Sequence, residues 1–317
     1  MKKSFKLLLA AAVLVTEVFV VALPILTTSA KADGAIQAIT HAGFGGGTDV
    51  TTRMMLLRTR RYLKQDMQLV NKKGGGGAAS MDYMMTLPAD GQHTLTWTTG
   101  HAVSMALGKT KVKLSDMQPL ARGTDDPQLF VVNCKNDIKD AKKFVSAQKS
   151  KSLKYGTTHV GGIDDVSAIA FTKKGNLTDP TIVAYKGVAP IKTNLIKGDI
   201  DVGVLNLGEA VTEIEDGTLC VAVVLASKRM EKLSNVPTAT ELGIPVVLST
   251  VRGFVTRKGV PADRKKQLED AMIKAMEHKY FQSFLTDIGL DSTSVVGADE
   301  WGKQMEVMLA EMTAQLK

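Results

Sequence analysis

Gly43-Phe44-Gly45-Gly46-Gly47-Thr48-Asp49 stands directly after the apolar, strand-like run 35–42 and directly before a helical pattern from about Thr48 to Leu63. Glycine lets backbone N–H groups come close to a ligand, and the helix start beyond it adds partial positive charge. The helical pattern fits that role. Val50, Met54 and Leu57 form an apolar stripe, Asp49 sits in the first turn, and Arg60, Arg61 and Lys64 sit in the last, as the helix dipole favours. Two further stretches repeat the arrangement: Gly74-Gly75-Gly76-Gly77 after the run 67–71, and Gly156-Thr157-Thr158-His159-Val160-Gly161-Gly162 after the run 153–156. Three such turns converging on one cleft hold an anion without a catalytic side chain, which points to capture rather than chemistry.

Outward from these turns, β-rich apolar runs alternate with helical patterns, the mark of parallel α/β construction. Strands are predicted at 94–98, 129–134, 181–185, 202–206, 220–225 and 254–256, and helices around 139–149, 164–173, 189–197, 262–278 and 281–288. The last helix places Trp301, Met305, Met308, Leu309, Met312 and Leu316 on one face, a core-packing stripe.

The N-terminus reads as an export signal. Lys2, Lys3 and Lys6 precede the apolar run Leu7 to Val15, and Ala30-Lys31-Ala32 is a small-x-small cleavage site before Asp33. Glu17 and Pro24 make it a poor membrane span, and Lys, Asp or Gly breaks every later apolar run. Removing residues 1–32 leaves 36 basic and 31 acidic residues, a balance of +5. The charges are scattered and aromatics are few, so no nucleic-acid stripe is present. A mildly basic surface suits an anionic small ligand. About 285 residues exceed what one growing core holds, so two lobes are expected. Cys134 and Cys220 are the only cysteines. An oxidising compartment permits a bridge between them, and two buried thiols are the alternative. Neither the cysteines nor the five histidines show metal-ligand spacing, and no metal or cofactor is expected.

Enzyme motifs fail one by one. There is no GxSxG elbow for Ser80, Ser104 or Ser167. Gly108-Lys109-Thr110 imitates the end of a P-loop, but Val103 stands where its first glycine belongs. Gly74, Gly76 and Ala79 fit GxGxxA, yet the next strand ends in threonine where a ribose-binding acid should stand. No catalytic residue is assigned.

Taken in order, the turns and later segments resemble the extracytoplasmic solute receptors of tripartite tricarboxylate transporters, the TctC or Bug family of periplasmic binding proteins. The family's run of glycines before Thr-Asp appears as Gly45-Gly46-Gly47-Thr48-Asp49, and its Asn-Arg-Pro-Gly-Ala-Gly-Gly as Asn71-Lys72-Lys73-Gly74-Gly75-Gly76-Gly77, with Asp90-Gly91 following. Downstream stand Tyr185-Lys186-Gly187-Val188-Ala189-Pro190, Gly198-Asp199-Ile200-Asp201-Val202, Val236-Pro237-Thr238, Arg252-Gly253-Phe254 and Gly259-Val260-Pro261. Lys72 and Lys73 replace the usual Arg-Pro, and Phe44 replaces a small residue.

The resemblance implies a type II-like periplasmic-binding fold, with two lobes of mainly parallel sheet flanked by helices and joined by two crossing strands. Lobe one would hold residues 33–130 and 252–317, and lobe two residues 131–251. It implies a monomeric periplasmic receptor, not an enzyme, that closes on a mono-, di- or tricarboxylate and delivers it to membrane permease subunits. In lobe one Phe44, Gly45, Gly46, Gly47, Thr48, Asp49, Gly75, Gly76, Gly77, Thr99 and His101 would line the site. Thr157, Thr158, His159, Gly162, Asp164, Tyr185 and Asn206 would complete it from lobe two. In the family's fold the first crossing strand runs antiparallel beside the last strand of lobe two, which implies a Cys134–Cys220 disulfide. Two rivals stand beside this reading: an exported α/β enzyme, and a sensor subunit that presents its ligand to a signalling partner.

Overall fold

The structure is a computed structural model that describes residues 34–316, apart from Gly46 and His159, with the side chains of Gln315 and Leu316 also outside it. The export signal expected over residues 1–32 lies outside the described residues.

The first α/β lobe begins with β1 (Ile36–Thr40), α1 (Gly47–Leu56), α2 (Thr59–Leu63) and β2 (Met67–Asn71). A tight turn over Gly75–Gly77 leads into α3 (Ala78–Met85), followed by β3 (His93–Thr98), α4 (Thr99–Ala106) and β4 (Met117–Pro127). The second lobe holds β5 (Leu129–Asn133), α5 (Ala141–Ser150), β6 (Lys154–Thr157), α6 (Ile163–Lys174), β7 (Thr181–Ala184), α7 (Val188–Lys197), β8 (Val202–Leu205), α8 (Leu207–Glu215) and β9 (Leu219–Val224). The chain returns through β10 (Ser249–Arg257), α9 (Ala262–Met276), α10 (Lys279–Asp287), β11 (Val296–Gly297) and α11 (Ala298–Leu316).

One sheet has the order β11-β4-β10-β3-β1-β2 and the other β7-β6-β8-β5-β9. The expected parallel construction is found in β2-β1-β3 and in β7-β6-β8. The remaining strands pair antiparallel, so each sheet is mixed rather than mainly parallel. The cause is the passage between lobes. A parallel pairing needs a helical crossover to turn the chain back, whereas β4 runs straight on into β5. The change of sheet falls at Gln128, because Leu129 and Phe130 already pair with β8 and β9. Gln128 N–H donates to Leu248 O, Leu225 N–H to Gln128 O, and Leu248 N–H to Leu225 O, each at 2.9 Å. These bonds tie the passing segments into one narrow seam.

Each lobe buries its own aromatics. In the first, Trp97 on β3 meets Trp301 on α11 edge to face at 5.7 Å, and Met305, Met308 and Met312 continue that buried face. In the second, Phe130, Phe144, Tyr155 and Phe171 pack ring against ring at 4.9 to 6.5 Å. Cys134, just past β5, is bonded to Cys220 on β9, with Cα atoms 5.0 Å apart and a sequence separation of 86.

Candidate functional site

The turn after β1 is organised by Asp49, whose carboxylate is buried in the first turn of α1. It accepts from Gly45 N–H (3.1 Å), from Arg53 Nε (3.0 Å) and from Asn71 Nδ2 (3.2 Å), while Asn71 also donates to Ala42 O at 2.9 Å. Arg53, with the Gly45 and Asn71 donors, holds the Asp49 carboxyl below its ordinary range against the opposing effect of burial. Asp49 therefore closes the turn and has its oxygens engaged there. Gly45 spends its N–H on Asp49, which leaves the first amides of α1, at Gly47 and Thr48, as helix-start donors. Phe44 is 82% exposed, with the Arg53 guanidinium 4.8 Å above its ring. Lys73 reaches the same turn: a Cβ on Gly43 would stand 3.2 Å from its Nζ.

The second turn has positive φ at Gly74, Gly75, Gly76 and Gly77 (134°, 58°, 66° and 108°). Ser104 Oγ on α4 lies 2.9 Å from Gly75 O and 2.8 Å from Gly76 O. Across a trans peptide the N–H points opposite to the preceding C=O, so the Gly76 amide faces away from α4. A Cβ on Gly76 would meet Ser104 Oγ at 2.8 Å, and one on Gly77 would meet His101 Cδ2 at 2.8 Å. A side chain at either position would displace the turn from behind.

His101 and Thr99 stand behind the turns. His101 is fully buried and its Nδ1 accepts the Thr98 N–H at 3.0 Å. That bond puts the ring proton on Nε2, which then donates to Ser80 Oγ 3.0 Å away, and Ser80 Oγ in turn donates to Gly77 O at 2.7 Å. The pair is thus wired against activating Ser80 as a nucleophile. Burial first, and the neighbouring His41 second, push the His101 pKa well below its ordinary value. Thr99 Oγ1 donates to Ser249 O (2.7 Å) and accepts from Val251 N–H (3.0 Å), pinning α4 to β10.

In lobe two, Gly162 caps α6, and Thr158 offers both its N–H (2.9 Å) and its hydroxyl (2.6 Å) to Asp164 Oδ2. Thr157 Oγ1, at the end of β6, is buried without a hydrogen-bond partner among the described residues. Gly161 N–H donates to Asp165 Oδ2 at 2.6 Å, and the neighbouring Val160 is 78% exposed. Tyr185 donates its N–H to Thr157 O at 2.8 Å and packs its ring against the lobe-two core. Gly46 and His159 lie outside the described residues.

The sheets meet at a buried polar cluster centred on residues for which sequence reasoning assigned no site role, with Asn206 at its edge. Arg252 on β10 donates from Nε to Thr48 Oγ1 (3.2 Å), with Nη1 3.8 Å from Asp126 Oδ2 on β4. Gln128 Nε2 donates to Thr250 Oγ1 at 2.6 Å. Asn206, capping α8, donates to Asp126 O (2.9 Å) and Pro127 O (3.0 Å), so its side chain grips the crossing strand. Burial pushes Asp126 up to about 8, against the pull of Arg252. Burial likewise raises Glu209, which donates no proton to the cap but accepts the Asn206 N–H at 2.9 Å. The visible signal was Arg252 itself, a lone cation within an apolar strand run. Among the described residues no cluster of His, Cys, Asp or Glu could hold a metal ion, and no helix is long and apolar enough to cross a membrane.

A sequence model of tripartite tricarboxylate transporter family receptors matches residues 51–305. The chain is similar to a UPF0065 protein in the TAR-I ttuE-ttuC' intergenic region of Agrobacterium vitis, 25% identical over 247 residues that cover 76% of this chain and 71% of that one. Among solved structures it is similar to a TctC solute-binding protein from Polaromonas, with TM-score 0.79 and 24% identity over 90% of this chain and 99% of that one. It is also similar to MatC from Rhodopseudomonas palustris with bound malate, with TM-score 0.75 and 22% identity over 89% of this chain and 99% of that one.

Proposed function

The chain belongs to the tripartite tricarboxylate transporter receptor family, and on that premise we propose that it captures a small carboxylate between its lobes and delivers it to the permease subunits of such a transporter. The family consists of periplasmic solute-binding receptors, which places the working compartment outside the cytoplasm; export would use residues 1–32 as a cleaved leader. The lobes would divide at the seam of Gln128, Leu225 and Leu248, with the protein acting as a monomer.

The observation that carries the reading is the orientation of the lobe-one turns. With the Gly75 and Gly76 carbonyls drawn onto Ser104, the Gly76 amide faces away from α4, and the first amides of α1 stand at the end of the neighbouring strand β1. Backbone donors at a helix start suit a carboxylate, and they lie at the carboxyl ends of β1 and β2, where open α/β sheets bind ligands. Malate bound in MatC, which shares the fold, supports a dicarboxylate among the candidates. The wiring of Ser80 and His101 speaks against the enzyme reading.

Closure needs a ligand with differential affinity for the closed state, so the ligand must touch both lobes. The test is native mass spectrometry of the purified protein, followed by small-angle scattering with the acid it retains. A retained carboxylate and a compaction on rebinding are expected. A retained neutral compound, or an unchanged scattering profile on binding, would overturn carboxylate capture or closure respectively.

A further inference from the structure

Arg252 occupies an unusual position for a cation. It is 7% exposed, on the strand that returns from lobe two, in register with Thr98 at the end of β3 and with Thr124 on β4. Its Nε is fixed by Thr48 in the first turn of α1, and a Cβ on Gly47 would stand 3.6 Å from Nη2. Among the described residues the guanidinium makes that one hydrogen bond, since 3.8 Å to Asp126 exceeds hydrogen-bond length. Both Nη groups therefore retain their donors. A guanidinium presents those donors as a planar fork that matches a carboxylate.

The acid beside it is a weak internal competitor. Asp126 is 4% exposed, and its Oδ1 is buried with no hydrogen-bond partner among the described residues. The groups acting on Asp126 are Arg252 from β10, Glu209 from α8, Asp125 from its own strand and the Asn206 side chain. Burial acts most strongly and raises the Asp126 pKa, Arg252 opposes it, and Glu209 and Asp125 add to it, so the proton-bound form of Asp126 is favoured at neutral pH. The nearest internal carboxyl is thus a poor counter-ion.

We propose that Arg252 is the charge-bearing anchor of the site, its Nη fork taking one carboxylate of the bound solute beside the amino end of α1. This rests on the carboxylate-receptor reading and deepens it: the backbone amides would shape the subsite, and Arg252 would select a charged over a neutral group. Thr48 is the positioning residue, holding Nε so that the fork faces the helix start.

The test is calorimetry with malate, adipate and citrate, and with malamide as the neutral counterpart of malate. The wild-type protein is expected to bind at least one acid and to reject malamide. Arg252→Gln should weaken the bound acid by about 30-fold or more and lose the discrimination between malate and malamide. Arg252→Lys should retain part of both, because a point charge replaces the fork. Gly47→Val, which leaves Arg252 in place but sets bulk beside Nη2, should weaken the same acid. Asp126→Asn should leave binding near wild type at pH 7 and hold it at pH 9, where ionised Asp126 in the wild type competes with the solute. Arg252→Gln binding a wild-type ligand within threefold, with its thermal midpoint unchanged, overturns the proposal while the carboxylate reading survives. If Arg252→Gln does not fold, an acid-to-amide ratio unchanged in Arg252→Lys and in Gly47→Val overturns it. Failure of the wild-type protein to bind any of the three acids overturns both readings.

Discussion

The turn after β1 and the turn after β6 stand in opposite lobes and close in the same way. In each, a glycine with positive φ (74° at Gly45, 71° at Gly161) donates its N–H to an aspartate four residues on, at 3.1 Å and 2.6 Å. In each, the residue before that glycine is an exposed apolar one, Phe44 or Val160. The surroundings differ in charge. Asp49 is held by Arg53 and Asn71, with Lys73 and Arg252 close by. Asp165 has one oxygen buried without a partner among the described residues, and its neighbour Asp164 is engaged by Thr158. One backbone device therefore closes two turns of different charge: a lobe-one turn with cations around it, and a lobe-two turn lined by hydroxyls and acids, which on the proposed reading would take the carboxylate and the variable end of the solute.

The largest expected effect concerns how the lobes are held rather than what they bind. Only lobe two carries a disulfide, so the double variant Cys134→Ser, Cys220→Ser should lose roughly 4–5 kcal/mol by the chain-entropy account of a loop this long. Hydrogen exchange should rise in β5 and β9 before it rises in β1 and β3. Equal loss of protection in both lobes would break the distinction. Next comes Asp126, on the crossing strand between the two turns. Its folded pKa lies above its unfolded one, so its contribution is fully present below about pH 4 and is lost as pH rises through about 8. In that window the folded state binds the extra proton, and stability should fall by up to about 1.4 kcal/mol per pH unit at full slope. Asp126→Asn removes this fall. Its thermal midpoint relative to wild type should therefore climb between pH 5 and pH 7, and a constant offset would sink the assignment.

Removing the closing aspartates compares the turns directly. Asp49→Ala removes the acceptor shared by the Gly45 amide, Arg53 and Asn71 and should cost about 2 kcal/mol, whereas Asp165→Ala, which strands one amide, should cost about 1 kcal/mol. Chemical denaturation of both variants decides it, and a larger loss at Asp165 reverses the order. Binding should divide the same way. Thr158→Ala should shift the ranking of malate, adipate and citrate by about tenfold or less, and an unchanged ranking would detach that turn from specificity. The smallest effect belongs to Lys73→Ala. A cation at the turn's rim should alter association rate and its salt dependence a few-fold, with little change in dissociation. Stopped-flow traces at two ionic strengths would show it.

The alternation of strands and helices, the three glycine turns and the amphipathic last helix were legible because each is a local pattern. Gly74–Gly77 announces positive φ by composition, and the stripe from Trp301 to Met312 repeats at helical spacing. Other elements left no such trace. α3 and α4 are short and largely buried, so neither shows a clear polar face. β4 carries Pro119, Asp125, Asp126 and Pro127, which read as a loop until the long pairing with β10 is seen. Asp49, Thr99, His101 and Asn206 were expected to line the site, and the structure turns their polar atoms into the scaffold.

The sequence by itself determined the class of fold, the family and the positions of the turns, because glycine conformation and hydrophobic period are properties of neighbouring residues. Only the tertiary structure decided which polar groups are engaged in the scaffold and which keep their donors. Arg252 and Asp126 are 126 positions apart in the chain and meet because β10 returns beside β4. The same folding turns the Gly75 and Gly76 carbonyls onto Ser104, and with them the Gly76 amide outward. Orientation and burial are set by what packs behind a residue, and no local pattern records that.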